Sequence, residues 1–104
     1  MGSSRTATSD TDAPVLTFVS AVSHPPSQQL AKVVGQVITA NRSRGIRLDQ
    51  IDVDADGKLA RELGVLSYPA VILTVGGVER ARLVGPQSRR AVLHAVLPEL
   101  YGPD

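Results

Sequence analysis

The chain has 104 residues, 11 basic against 10 acidic side chains (net charge +1), and 42% hydrophobic residues. That is room for one domain around one core, with an ordinary soluble composition and too little net charge to draw the chain to nucleic acid or anionic lipid. There is no cysteine, which excludes disulfides, zinc–thiolate and iron–sulfur sites, thiol catalysis and dithiol exchange.

Residues 1–13 are rich in Ser, Thr and Asp, with no apolar residue larger than Ala after Met1. They are expected to be a disordered tail, leaving 14–104 as the folded domain. Pro14 opens Val15-Leu16-Thr17-Phe18-Val19-Ser20, a β-branched and aromatic run suited to a buried strand. The segment from Val22 to Ser27 breaks that strand, and Pro25 and Pro26 suit the first turn of a helix. Leu30, Val33, Val34, Val37 and Ile38 then recur at helical spacing and bury one stripe, fading near Asn41 to Gly45.

Ile46 to Val53 reads as a second strand, with a slip or bulge admitted at Gln50 where the alternation fails. Asp54 or Asp56 caps a short helix through Leu63, which Gly64 terminates. Tyr68 to Val75 is a third strand, Gly76-Gly77 a hairpin turn, and Val78 to Val84 an alternating, half-exposed edge strand. After Gly85-Pro86 a last helix buries Val92, Leu93, Val96, Leu97 and Leu100, with Pro98 expected to shorten it. The order β-α-β-α-β-β-α implies a right-handed first crossover between parallel strands and an antiparallel final hairpin. The fold class is therefore α/β, a mixed four-stranded sheet with helices on both faces.

No apolar run approaches the roughly 20 residues of a membrane span, and no apolar stretch follows the polar N-terminus as a secretory signal requires. A cytoplasmic location is expected, with neither membrane nor nucleic acid as partner. His24 and Ser27 lie three apart at a helix start and can share a face, but no carboxylate stands near them in sequence to complete a serine nucleophile. The plainer reading is that Ser23 or His24 caps the helix and Ser27 lies at the surface. Asp52, Asp54, Asp56 and Gly57 imitate the start of a calcium loop, yet its twelfth position is Leu63. No metal or other cofactor is therefore expected. The arginines at 42, 44, 47, 80, 82, 89 and 90 lack interleaved aromatics, as solvated faces do.

Ile51-Asp52-Val53-Asp54, followed by Leu59 to Pro69 with its Gly64-Val65-x-x-x-Pro69 spacing, resembles the thioredoxin family from central strand to cis-proline loop. Gly77 and Gly85 match that family's hairpin glycine and the glycine before the final helix. The resemblance covers roughly Val15 to Leu100 and implies a minimal thioredoxin-like fold, without the usual extra first strand and helix. Where the family shows Trp-Cys-Gly-Pro-Cys, this chain has Ser23-His24-Pro25-Pro26-Ser27. The family's proton-handling acid falls on Thr17 or Phe18, and its partner lysine on Gln50. The resemblance thus implies a redox-inactive member that keeps the cis-proline at Tyr68-Pro69. There the backbone can hold an extended peptide or another protein, with Ser23, His24, Pro25, Ser27, Tyr68 and Pro69 as the groove. The expected role is a non-catalytic protein-binding or chaperone-like module. Residues 18–27, with Ile51-Asp52-Val53, are also similar to the KaiB clock family, whose members bind proteins without cysteine. Met1-Gly2-Ser3-Ser4 resembles an expression-vector leader, so a third reading is an oxidoreductase whose cysteines were engineered away, at Ser23 or Ser27.

Overall fold

The computed structural model describes residues 13–21, 23–65 and 67–102. The tail expected over 1–13 lies outside them, Ala13 excepted. Strand β1 (Pro14–Ser20) is followed by helix α1 (Pro25–Ala40), a 3-10 turn (Arg42–Arg44) and β2 (Arg47–Asp52). Helix α2 (Val53–Glu62), the hairpin β3 (Ala70–Val75) and β4 (Val78–Val84), and helix α3 (Arg89–Tyr101) complete the order expected from sequence.

The sheet runs β2-β1-β3-β4, so the apolar strands β1 and β3 take the centre and the charged strands the edges. β1 and β2 are parallel, from Val15 opposite Arg47 to Ser20 opposite Asp52. That register is continuous, so the irregularity admitted at Gln50 is absent. It lies instead in β3–β4, where Leu73 faces Ala81 but Thr74 faces Glu79. Arg80 is the extra residue of this bulge, and it approaches Glu99 of α3 at 4.0 Å. Gly76 and Gly77 have φ of 60° and 81°, the paired left-handed conformations of a two-residue hairpin turn.

Alternation within β1 and β3 divides the core. Leu16, Phe18, Val71 and Leu73 meet Leu30, Val34 and Val37 of α1 and Val92 and Val96 of α3. Val19, Ile72 and Ala70 turn the other way, toward Ile51, Ala60 and Val65. α2 is capped by Asp52, whose carboxylate accepts the Asp54 N–H at 3.0 Å. Asp56 interrupts the helix at φ −142° and ψ 56°, then accepts the Leu59 N–H at 3.4 Å and restarts it. Asp54, expected as a cap, is not one: its N–H is the group being capped. α3 continues past Pro98 to Tyr101, because a proline there withdraws only one late-turn N–H. Leu93 and Leu100 pack partly against the core, while Leu97 stays half-buried outside it, contrary to the sequence reading.

The edge strand also fastens α2. Arg82 donates two hydrogen bonds to the Glu79 carboxylate, at 2.7 and 2.8 Å, and a third at 3.0 Å to the Leu63 carbonyl, just past the end of α2. These bonds hold the Glu79 carboxyl below its ordinary value.

Candidate functional site

Two prolines at the start of α1 leave His24 as its N-cap, with φ −87° and ψ 117° and no side-chain capping bond. The expected capping role therefore falls on His24 by position alone, and its ring is free to turn elsewhere. It meets the Tyr68 ring edge-on, with centroids 5.2 Å apart and planes at 80°. Its Nδ1 lies 3.3 Å from the Ser27 hydroxyl. Ser27 is 2% exposed, so the surface position expected for it is incorrect. The reason is backbone satisfaction: its Oγ accepts the Ala21 N–H at 3.3 Å, where β1 has ended and no strand partner remains. Having accepted that bond, the hydroxyl has its own hydrogen to offer His24. Among the described residues no carboxylate hydrogen-bonds His24, so nothing orients it as the base of a serine nucleophile.

Across from α1, the Tyr68-Pro69 peptide bond is cis. Pro69 is fully buried, and its carbonyl accepts the Gly85 N–H at 2.7 Å. Tyr68 is 43% exposed, and its backbone N–H and C=O make no hydrogen bond with any described residue. β3 begins only at Ala70, two residues later than the sequence suggests, because no strand partner reaches Tyr68. The six residues singled out in the sequence thus divide by role. Ser23, Pro25 and Tyr68 are exposed, His24 is half-buried between them, and Ser27 and Pro69 lie beneath.

Sequence reasoning missed the opposite wall. Pro86 and Gln87 join Pro25, Pro26 and Gln29 around a small concavity beside the groove. Gln87 is held there by donating to the Val84 carbonyl at 2.9 Å, and Val84 itself is exposed. The only signal for this wall was Gly85-Pro86, which reads equally well as a spacer. Thr17 pairs with Asp49 and Phe18 with Gln50 across β1–β2, and none of Thr17, Phe18 and Gln50 offers a titratable group where the thioredoxin resemblance would put an acid and a lysine. Asp52 and Asp56 serve helix α2, and among the described residues no three His, Cys, Asp or Glu side chains are grouped to hold a metal ion. No described helix is long and apolar enough to cross a membrane.

No family model matches the chain. A curated relative, the bifunctional thioredoxin reductase/thioredoxin of Mycobacterium leprae (strain TN), is 32% identical over 68 residues, 65% of this chain. The match spans only 15% of that relative's length. Among solved structures, a mutant thioredoxin from Halobacterium salinarum NRC-1 superposes with a TM-score of 0.71 at 27% identity, covering 83% of this chain and 74% of the other. Mitochondrial thioredoxin 3 from Saccharomyces cerevisiae, in its oxidised form, gives 0.73 at 17% identity, covering 89% and 87%.

Proposed function

We propose that this cysteine-free, thioredoxin-like chain is a non-catalytic binding or chaperone-like module that holds an extended segment of another protein against Tyr68. With no thiol in the sequence, dithiol exchange is closed to it. The observation that carries the reading is the Tyr68 backbone. Its donor and acceptor have no partner among the described residues, and its ring is propped on His24 beside buried Pro69. An extended peptide would complete those hydrogen bonds in the manner of an added strand, while Pro25, Val84 and the Tyr68 ring supply apolar contact. Ser27 supports the groove from beneath by holding the chain where β1 gives way to α1.

The test is affinity capture from a host lysate, comparing wild type with the His24→Glu/Tyr68→Ala double variant. A partner recovered by wild type and bound at least about tenfold more weakly by the variant, a loss of roughly 1.4 kcal/mol, supports the groove. Thermal melts of the two proteins should stay close, because Tyr68 is 43% exposed and the His24 side chain makes no capping bond. Equal recovery by both proteins refutes the reading. Two slowly exchanging sets of amide resonances would instead favour the clock-type interaction domain suggested by the KaiB resemblance.

A further inference from the structure

Helix α3 carries more apolar side chains than the core accepts. Val92 and Val96 are fully buried, but Leu93, Leu97 and Pro98 line an open concavity that Tyr101 closes at one end. Leu93, Leu97 and Tyr101 recur every four residues, so they form one stripe along the helix. At 1.5 Å per residue it is about 12 Å long. Its C-terminal end is firmly built. The Tyr101 hydroxyl donates to Asn41 Oδ1 at 2.8 Å, and Asn41, 5% exposed, donates in turn to the Val37 carbonyl at 2.8 Å. The Arg44 guanidinium lies 4.2 Å over the Tyr101 ring. Asn41 follows the last residue of α1, about 26 Å along that helix from His24, so this end is remote from the Tyr68 groove.

Arg89 and Arg90 line the concavity at one end, and Arg44 covers Tyr101 at the other. Arg89 and Arg90 occupy the first turn of α3, where the helix dipole disfavours cations, and no acidic residue accompanies them there. Neither they nor Arg44 form an ion pair with any described residue, whereas Arg80 and Arg82 each meet a carboxylate. Among the described residues no carboxylate lines the concavity. An apolar stripe at helical spacing, bounded by cations that no described residue compensates, is complementary to one kind of ligand.

We propose that this face of α3 docks an acidic amphipathic helix of another protein. The apolar side of that helix lies along Leu93, Leu97 and Tyr101, and its carboxylates meet Arg89, Arg90 and Arg44. Single-stranded nucleic acid fits less well, because the Tyr101 ring is already covered by Arg44 and only the His94 imidazole is left in the lining to stack a base. A lipid surface fits less well because Leu93 and Leu97 are recessed and half-buried, whereas membrane insertion needs a protruding apolar face. Among the described helices a second copy offers α2, but its acids Asp54, Asp56 and Glu62 alternate with Lys58 and Arg61, its helix is interrupted at Asp56, and its exposed apolar side chains are Leu59 alone and Leu63 just past its end.

The experiment titrates the isotope-labelled full chain with a synthetic helical peptide carrying Leu at i, i+4 and i+7 flanked by Glu. A counterpart with Lys in place of Glu serves as the comparison. Expected are amide shift changes concentrated in 41–45 and 89–102, with the Glu peptide bound at least about tenfold more tightly than the Lys peptide. Arg89→Glu/Arg90→Glu should abolish or invert that preference. Leu97→Glu should weaken binding of the Glu peptide about tenfold while leaving the melt nearly unchanged, since Leu97 lies outside the core. Shifts centred on His24 and Tyr68, absence of a charge preference, or no binding at about millimolar peptide would overturn the proposal. So would α3 resonances that broaden with protein concentration alone, which would assign the face to a second copy. Tighter association with phosphatidylglycerol vesicles than with the Glu peptide would assign it to lipid and overturn it likewise.

Discussion

The two faces of the sheet are built unequally. On one, the sixteen-residue α1 and the thirteen-residue α3 press Leu30, Val34, Val37, Val92 and Val96 onto Leu16, Phe18, Val71 and Leu73. On the other, ten-residue α2 is interrupted at Asp56 and sets little more than Ala60 onto the strands, while its Leu59, and Leu63 just past its end, remain exposed. Cohesion follows the area and depth of apolar contact, so the first face should hold the fold together and the second should open first. The Tyr68 groove stands on the segment that leads away from the weaker helix. A binding site there can adjust without loosening the main core.

Adjacent residues of β3 provide the sharpest test, because Leu73 and Ile72 face opposite sides and both are buried. Leu73→Ala should cost about 4 kcal/mol in urea unfolding and Ile72→Ala about 2 kcal/mol, the upper and lower parts of the usual range, since the thinner layer can collapse into the gap. Equal losses would break the comparison. A smaller effect is expected from Asp52→Ala, which removes the α2 cap and should cost about 1 kcal/mol. Native-state hydrogen exchange should then accelerate in α2 while α1 and α3 keep their protection. If all three helices accelerate together, α2 is not a separate opening unit.

The smallest effect concerns the Glu79–Arg82 pair, which orients the arginine that ties β4 to the end of α2. Glu79 titrates below its ordinary value because of its hydrogen bonds from Arg82, so its contribution to stability is present above the unfolded value near 4.5. It is lost as pH falls through the lowered folded value. Melting temperatures measured between pH 6 and pH 2 should therefore decline slightly less for Glu79→Gln than for wild type. Because the pair is exposed, the difference should shrink further in high salt. Parallel curves for the two proteins would show that the Glu79–Arg82 pair does not contribute.

The main architecture was legible because periodicity and turn chemistry agreed. The stripe from Leu30 to Ile38, the β-branched run of β3 and the Gly76-Gly77 turn each admit one reading, and the structure contains all three. What escaped depended on contacts distant in sequence. Ser27 is buried because β1 ends at Ser20 and leaves the Ala21 N–H to be satisfied from α1, which its own neighbourhood does not disclose. The bulge falls at Arg80 rather than Gln50, because the irregular pairing belongs to the antiparallel hairpin. Asn41 and Tyr101, 60 residues apart, carry no joint signal at all. Of the candidate groove, the His24–Tyr68 pairing was legible only through family resemblance; Pro86 and Gln87 were not legible at all.

The carbonyl of Leu63 is held by Arg82, and the carbonyl of Pro69 by the Gly85 N–H. Both ends of the stretch that presents Tyr68 are thus hung from the same outer strand, like a bridge with both footings on one bank. Any slip of β4 would carry the two footings together and move the Tyr68 ring relative to α1, where His24 is fixed. Amino acids at positions 79 to 83, which the proposed partner does not meet, would then act as the adjustment screw for the width of the groove. Variation along this outer strand should therefore alter which segments fit, even where every groove side chain is the same.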